Sequence, residues 1–268
     1  MTIPIIRSLS TFLNVLSYHK AVLFRGVSDA ENHQLIPSIG RDWPSGLKDL
    51  VTLEKEMLDQ FISKAPILLD TSKPSNEWEW LILGQHYGMP TRLLDWTSNP
   101  LVALYFACFK DNDINGAVYL TSELEKLDLN GDIKPFEISK NYSIVPRHIS
   151  PQIAPQSARF TVSKDPTKAL KVSHVFYEPG EEKPNLSEDQ IIIDRNAKIF
   201  ILDDLRKYGI SPASLFPGLK GLAEHIYMEV LYQKDIQKNI VARQKMEKEF
   251  AQQRKYPPAV NKVEIANQ

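Results

Sequence analysis

Residues 85–109 of this 268-residue chain read QHYGMPTRLLDWTSNPLVALYFACF and join a backbone turn, a polar cluster and an apolar run. The Gly-Met-Pro tripeptide interrupts the backbone, because glycine tolerates a positive φ and proline fixes its own. Ser98 or Asn99 then supplies a helix N-cap, and Pro100 occupies the first helical position. Residues 101–109 are almost purely apolar. The stretch therefore predicts a buried helix with a polar N-terminus.

A helix N-terminus presents free main-chain N–H groups, which favour anionic or carbonyl ligands. Several polar side chains precede this one: Gln85, His86, Tyr87, Arg92, Asp95 and Thr97. They predict a functional site at the start of the helix. The alternative interpretation is a well-capped buried helix with a structural ion pair between Arg92 and Asp95, and the residues alone leave both open.

The composition is that of an ordinary globular protein, with 43% apolar and 24% charged residues. The formal net charge of −1 gives no long-range attraction to nucleic acid or to an anionic membrane. The single cysteine, Cys108, excludes an internal disulfide framework and a cysteine-based zinc site. We see no uninterrupted apolar run of membrane length and no signal-peptide pattern, so we expect a soluble, cytoplasmic protein.

A second candidate site residue lies near the N-terminus. Residues 21–26, AVLFRG, predict a buried strand that ends on Arg25 and Gly26. A guanidinium matches anionic oxygens, and a glycine lets a ligand approach the backbone, so the pair suits phosphate binding. The alternative is an arginine that pairs with a nearby acid at the end of a strand.

The rest of the chain predicts helices early and strands later, which favours an α+β fold. The predicted helices are residues 5–20, 47–69, 77–86, 203–208 and 220–254. The predicted strands are residues 117–120, 136–138, 159–162, 171–176, 191–193 and 199–202, with an exposed, mobile loop over 178–189. No GxGxxG follows a strand and no GxxxxGK[ST] occurs, so the common dinucleotide and P-loop signatures are absent.

Several motifs together resemble the FRG domain. They are Phe24-Arg25-Gly26, LIPSIGR over residues 35–41, QHYG over 85–88, PTRLLDWT over 90–97 and ALYFA over 103–107. Gln156, Phe160 and the LFP of residues 215–217 are similar to the closing motifs of that domain. The resemblance implies an FRG domain over residues 20–222, an N-terminal helix over 1–19, and a long C-terminal helix with a tail over 223–268.

FRG domains in turn resemble ADP-ribosyltransferases, which implies a split β core with flanking helices that binds NAD. The resemblance implies that Arg25 and Gly26 bind the NAD phosphates, that Thr97 and Ser98 shape the nicotinamide pocket, and that His86 and Tyr87 line its wall. Gln156 stands where such enzymes have a glutamate. An amide accepts a hydrogen bond but supplies no charge to the transition state. This departure from the family pattern implies either that Asp95 or His86 assists the chemistry or that the domain binds a nucleotide without turning it over.

The leading expectation is an NAD-dependent ADP-ribosyltransferase-like enzyme that modifies a nucleic acid or a protein, as a toxin or phage-defence effector with a neutralising or regulatory protein partner. The second is a catalytically inactive module that binds a nucleotide or a partner. A metal-dependent hydrolase built on Asp95 and His86 ranks lowest, since no HxH or HExxH motif occurs and no metal site is expected. The basic half of the C-terminal helix is either a solvated face or a partner-binding arm.

Overall fold

The computed structural model describes residues 5–41, 49–69, 73–110, 113–122, 124–147, 153–177, 184–187, 190–230 and 248. The chain divides into two compact units, residues 1–222 and residues 223–268. The first unit is a mixed α+β structure with two antiparallel sheets. In the second unit, residues 223–230 are helical, as are residues 219–222 at the end of the first. The remainder of the predicted C-terminal helix and the tail lie outside the described residues, apart from residue 248.

The strands form a six-stranded sheet in the order β5-β6-β3-β2-β4-β9 and a three-stranded sheet in the order β1-β7-β8. All pairs of neighbouring strands in both sheets are antiparallel. Their bounds are β1 His19–Lys20, β2 Leu23–Val27, β3 Leu93–Thr97, β4 Gly116–Thr121, β5 Tyr142–Ile144, β6 Ala158–Val162, β7 His174–Tyr177, β8 Pro184–Ser187 and β9 Ile191–Ile193.

The helices occupy both ends of the first unit and the long connections between its strands. Their bounds are α1 Leu9–Leu16, α2 Leu50–Lys64, α3 Glu77–His86, α4 Pro100–Cys108, α5 Lys198–Lys207 and α6 Pro212–Leu215. Short 3₁₀ turns cover Ser38–Gly40, Ala65–Leu68 and Arg195–Ala197. Helix α3 has the bounds that the sequence predicts, and α1 covers the middle of the predicted N-terminal helix.

Helix α4 is the buried helix predicted from the central stretch. The Asn99 side chain caps it by accepting a hydrogen bond from the Leu101 N–H, and Pro100 is its first residue. The helix packs on β2 and is buried around most of its circumference, because nearly all of its side chains are apolar. Cys108 lies at its end, and burial raises the pKa of the thiol, so this cysteine packs as an apolar residue.

Strand β3 divides the apolar core into two layers, because successive side chains point to opposite faces of a sheet. Leu93 belongs to a cluster with α3, β5 and β6. Leu94 and Trp96 belong to a second cluster on the opposite face, which also includes Leu23 of β2. The same alternation places Asp95 on the face of β3 opposite the second cluster, which is the face toward α3.

Strands β2 and β3 are neighbours in the sheet but pair at one position only, Phe24 opposite Thr97. By contrast, β2 pairs with β4 over its whole length, from Leu23 to Val27. Strand β3 likewise pairs with β6 at all five of its residues. The six-stranded sheet is therefore well paired on either side of the β2–β3 junction and weakly paired at the junction itself.

Three predicted elements differ from the structure. Residues 199–202 belong to α5, since a short apolar run fits a helix face as well as a strand. Residues 136–138 form a turn, and β5 lies further on, at Tyr142–Ile144. The predicted loop over 178–189 contains β8, which pairs with β7 through main-chain groups that side-chain pattern does not reveal.

Candidate functional site

A cavity of about 340 Å³ opens beside the β2–β3 junction. Residues of β2, β3, α3 and α4 line it, together with the segments before β6 and after α6. Its volume lies in the range of small-molecule sites, which combine an apolar lining with a few polar groups. The polar or charged lining residues are Arg25, Gln85, His86, Asp95, Thr97 and Gln156.

The Arg25 side chain is largely covered, with 15% of its surface exposed. Its Nη1 donates a hydrogen bond to the main-chain oxygen of Asp95, at 2.5 Å, and lies 3.6 Å from the Asp95 carboxylate. Its Nε is buried without a hydrogen-bond partner. Burial lowers the pKa of Arg25, while Asp95 opposes that shift. The site thus holds a positive charge at the cavity, the kind of group that binds an anionic ligand.

A chain of side-chain hydrogen bonds positions Asp95. The Gln85 Nε2 donates to the Asp95 carboxylate at 2.7 Å, and the Thr91 hydroxyl donates to the Gln85 Oε1. The Asp95 side chain is nevertheless 67% exposed. The carboxylate is therefore oriented from the α3 side and reached by solvent from the cavity side.

Thr97 and Gln156 form the part of the lining where β3 meets the segment before β6. The Thr97 hydroxyl donates to the Gln156 main-chain oxygen at 2.7 Å and accepts from the Asn99 N–H at 3.0 Å. The Gln156 Nε2 donates to the Leu215 main-chain oxygen at 3.0 Å. A carbonyl oxygen accepts only, so this bond fixes the orientation of the amide and leaves its Oε1 as a hydrogen-bond acceptor.

His86 lines the cavity at the end of α3. Burial lowers the pKa of its imidazole, and Asp95 partly offsets that shift. The neutral imidazole is therefore favoured near neutral pH, and this form can accept a proton.

Tyr87 and Ser98, which were also expected at the site, do not line the cavity. The Tyr87 side chain is 71% exposed and contacts the His86 ring edge-on, with the ring centres 5.4 Å apart. Ser98 is exposed, and its N–H donates to the Ser157 main-chain oxygen at 3.1 Å. Of these two expected pairs, His86 lines the cavity without Tyr87, and Thr97 lines it without Ser98.

Gly26 lines the cavity, but a different contact requires a glycine there. A Cβ atom at Gly26 would lie 1.8 Å from the Ala103 main-chain oxygen and 2.7 Å from the Ala107 nitrogen. The absence of a side chain thus lets α4 approach β2. Gly26 thus has a role in helix–strand packing as well as a place in the cavity lining, and the close approach of a ligand to it stays a prediction.

The predicted ion pair between Arg92 and Asp95 is wrong. Arg92 pairs instead with Glu54 of α2, which accepts from the Arg92 Nε and from the Arg92 N–H, both at 2.7 Å. Both side chains are almost fully buried, at 2% and 0% exposure. Burial raises the pKa of Glu54, and Arg92 opposes that shift. Arg92 is therefore a structural residue that anchors the start of β3 to α2.

Sequence reasoning missed Glu54 as well as part of the apolar lining. Glu54 lies one turn from Leu50 and Leu58 on the inward face of α2, so an acid on an apolar face was the signal that it needs a buried partner. Phe216 lies in the LFP motif of the resemblance, but its place in the cavity lining was not predicted. Ile153 lines the cavity from a segment without strong periodicity, and no local pattern marks it, because its position depends on the packing of distant segments.

The comparisons with known proteins identify one family. The model of the FRG domain family matches residues 20–115, a range that contains Arg25, Gln85, His86, Asp95 and Thr97. No curated protein and no solved structure matches the chain. Within the described ranges, no group of three or more His, Cys, Asp or Glu side chains is placed to hold a metal ion, and no helix is long and apolar enough to cross a membrane.

Proposed function

Since the chain belongs to the FRG domain family over residues 20–115, we propose that it is an NAD-dependent ADP-ribosyltransferase-like enzyme. One observation carries the proposal. Arg25, Thr97 and Gln156 come from three separate segments and line one cavity, beside the junction where β2 and β3 pair only once. These are the residues at which the resemblance to ADP-ribosyltransferases implies an arginine, a serine or threonine, and a glutamate, around a split β core.

We propose that Arg25 binds the phosphates of NAD. Its guanidinium is buried on the protein side and faces the cavity. A buried arginine binds a diphosphate more strongly than an exposed one, because water competes less with the charge-assisted hydrogen bonds. The cavity of about 340 Å³ is large enough for a small-molecule ligand.

We propose that Gln156, held in place by Thr97, binds the ribose next to the nicotinamide. The Gln156 Nε2 is held by the Leu215 carbonyl, so the Oε1 is the atom available to accept a ribose hydroxyl. Thr97 holds the Gln156 main chain and the turn before α4. Together they position a hydrogen-bond acceptor for the ribose, although neither residue carries a charge.

The reaction transfers the ADP-ribosyl group from nicotinamide to an acceptor. The bond between ribose C1′ and the nicotinamide nitrogen breaks, nicotinamide leaves as the neutral amide, and an acceptor oxygen or nitrogen bonds to C1′ and loses its proton. A carboxylate near C1′ stabilises the positive charge that develops on the ribose. Among the described lining residues Asp95 is the one carboxylate, and the neutral imidazole of His86 is suited to take the acceptor proton.

We propose a nucleic acid or a protein as the acceptor, and a role as a toxin or phage-defence effector that a protein partner neutralises. The net charge of −1 provides no general attraction to nucleic acid. Recognition of a nucleic-acid acceptor would therefore depend on local contacts at the mouth of the cavity, and the exposed Tyr87 ring beside His86 is such a contact surface.

The measurement that tests the proposal is release of nicotinamide from NAD by the purified chain, with RNA, DNA or lysate protein as acceptor. We expect release that depends on one acceptor class and is lost in Arg25→Ala. Arg206→Ala is the matched control, because Arg206 is also a partly buried arginine paired with an aspartate, yet does not line the cavity. Absence of release with every acceptor would contradict transferase activity.

A second candidate function is a catalytically inactive module that binds a nucleotide or a partner. The observation that favours it is the uncharged Gln156 at the place where the resemblance implies a glutamate, together with the engagement of Asp95 by Arg25. This function predicts that NAD binds to the chain and that Arg25→Ala abolishes binding. No nicotinamide would be released under any condition.

A further inference from the structure

We propose that the Asp95 carboxylate occupies Arg25 in the ligand-free protein and that the phosphates of the ligand displace it. The proposal rests on the function proposed above and adds that anions that bind Arg25 more weakly than phosphate does do not displace Asp95. Its basis is the contact between the two side chains, with the Arg25 Nη1 3.6 Å from the Asp95 Oδ2, inside the cavity that both residues line.

The two partners of this contact are held very differently. Arg25 is fixed, because only 15% of its side chain is exposed and its Nη1 also donates to the Asp95 main-chain oxygen. The Asp95 side chain is 67% exposed, and the Gln85 side chain donates a hydrogen bond that orients it. An ion pair with one solvated partner is weak. The carboxylate can therefore rotate away while the guanidinium remains in place.

Arg25 has the capacity for a stronger anion than the one it holds. At 3.6 Å from the Arg25 Nη1, the Asp95 carboxylate is beyond the distance of a normal charge-assisted hydrogen bond. The charge of Arg41 acts on Arg25 in the same sense as burial, against its protonated form. Two neighbouring arginines and one loosely held carboxylate favour a ligand with more than one negative charge, such as a diphosphate.

Displacement changes what Asp95 can do. While it faces Arg25, its charge is offset by the guanidinium and is unavailable to a ligand. Once phosphate takes Arg25, the carboxylate stays tethered to Gln85 and carries the one uncompensated negative charge among the described lining residues. Ligand binding would thus supply the charge that Gln156 lacks, and only when the ligand carries phosphate.

The test is the affinity of the full chain for ADP-ribose, measured by calorimetry in wild type, Asp95→Asn and Arg25→Ala. ADP-ribose carries the diphosphate and has no nicotinamide to release, so binding is read without turnover. We expect Asp95→Asn to bind about fivefold more tightly, since the ligand no longer has to break the ion pair with Arg25, and two opposite charges about 4 Å apart in water attract each other by about that factor. The gain should shrink as salt is raised, and Arg25→Ala should lose binding.

Two control variants separate this exchange from a general charge effect. Asp165→Asn removes one negative charge from an exposed ion pair with Lys168 that does not line the cavity, and its affinity should equal that of wild type. Asp95→Glu retains the negative charge and should not bind more tightly. Thermal unfolding of each variant checks that the chain is folded.

The outcomes distinguish the two proposals. ADP-ribose binding by wild type that is unchanged or weakened in Asp95→Asn overturns the displacement and leaves the proposed function standing. Absence of ADP-ribose binding in wild type and in folded Asp95→Asn overturns both. Tighter binding in Asp95→Asn and in Asp165→Asn alike also overturns the displacement, because the effect would then come from net charge.

Discussion

Glu54→Ala removes the carboxylate that holds Arg92 inside the protein and should strongly destabilise the chain. Two hydrogen bonds of 2.7 Å join the two residues, one from the Arg92 Nε and one from its main-chain N–H. The remaining contacts of the guanidinium are the Pro135 main-chain oxygen at 3.2 Å and the Phe136 ring at 4.9 Å. Neither supplies a negative charge.

The expected loss of unfolding free energy is about 3–5 kcal/mol, because the variant leaves an uncompensated buried charge. For a chain of this size that loss lowers the melting temperature by roughly 6–20 °C. Urea denaturation followed by circular dichroism measures the free energy directly. The matched control is Lys168→Ala, which breaks an ion pair whose side chains are 80% and 44% exposed and should cost less than about 1 kcal/mol.

A double variant tests the cause of the loss. Glu54→Leu with Arg92→Met replaces the pair by apolar groups of similar volume and should be more stable than Glu54→Ala, since no unpaired charge remains. A loss below about 1 kcal/mol in Glu54→Ala, the range of exposed pairs, would refute the buried-pair argument. The buried-pair argument would also be refuted if the double variant lost as much unfolding free energy as Glu54→Leu and Arg92→Met lose as single variants, added together.

Two further predictions concern the residues around the cavity. Gly26→Ala should prevent folding of the first unit or strongly destabilise it, since its Cβ would lie 1.8 Å from the Ala103 main-chain oxygen. Gly131→Ala, whose Cβ would lie 3.3 Å from its nearest atom, requires a shift of only a few tenths of an ångström and should be far less destabilising. Soluble yield and thermal unfolding of both variants measure the difference. His86→Asn should flatten the dependence of stability on pH, because burial lowers the pKa of His86 and the unfolded chain therefore binds more protons as pH falls below about 6.5. Urea denaturation between pH 5 and 8 measures it, and an equally steep dependence in the variant would contradict this role.

Local signals gave much of the fold correctly. Ser98 or Asn99 followed by Pro100 predicted the start of α4, and the structure shows Asn99 as its N-cap. Such signals are reliable because they involve hydrogen bonds within one helical turn. The apolar triplet Ile191–Ile193 likewise predicted β9. By contrast, the apolar run at 199–202 has no caps of its own and was assigned to the wrong element.

Arg25, Thr97, Gln156, Asp95 and His86 were all named from sequence as candidate site residues, and the structure brings them to one cavity. Their residue types and motif context were enough for that prediction. The family assignment also came from sequence, since the motifs that carry it lie within residues 24–107. What these residues do chemically stays a prediction until binding and nicotinamide release are measured.

The sequence by itself determined the helix caps and the buried character of α4, because each depends on neighbours within a few positions. Only the tertiary structure decided the partners. Arg92 binds Glu54, 38 positions away, rather than Asp95, three positions away, and Asp95 faces Arg25, 70 positions away. The physical reason is that adjacent residues of a strand alternate between faces, so the charge that neutralises a buried side chain comes from whichever element packs over that face.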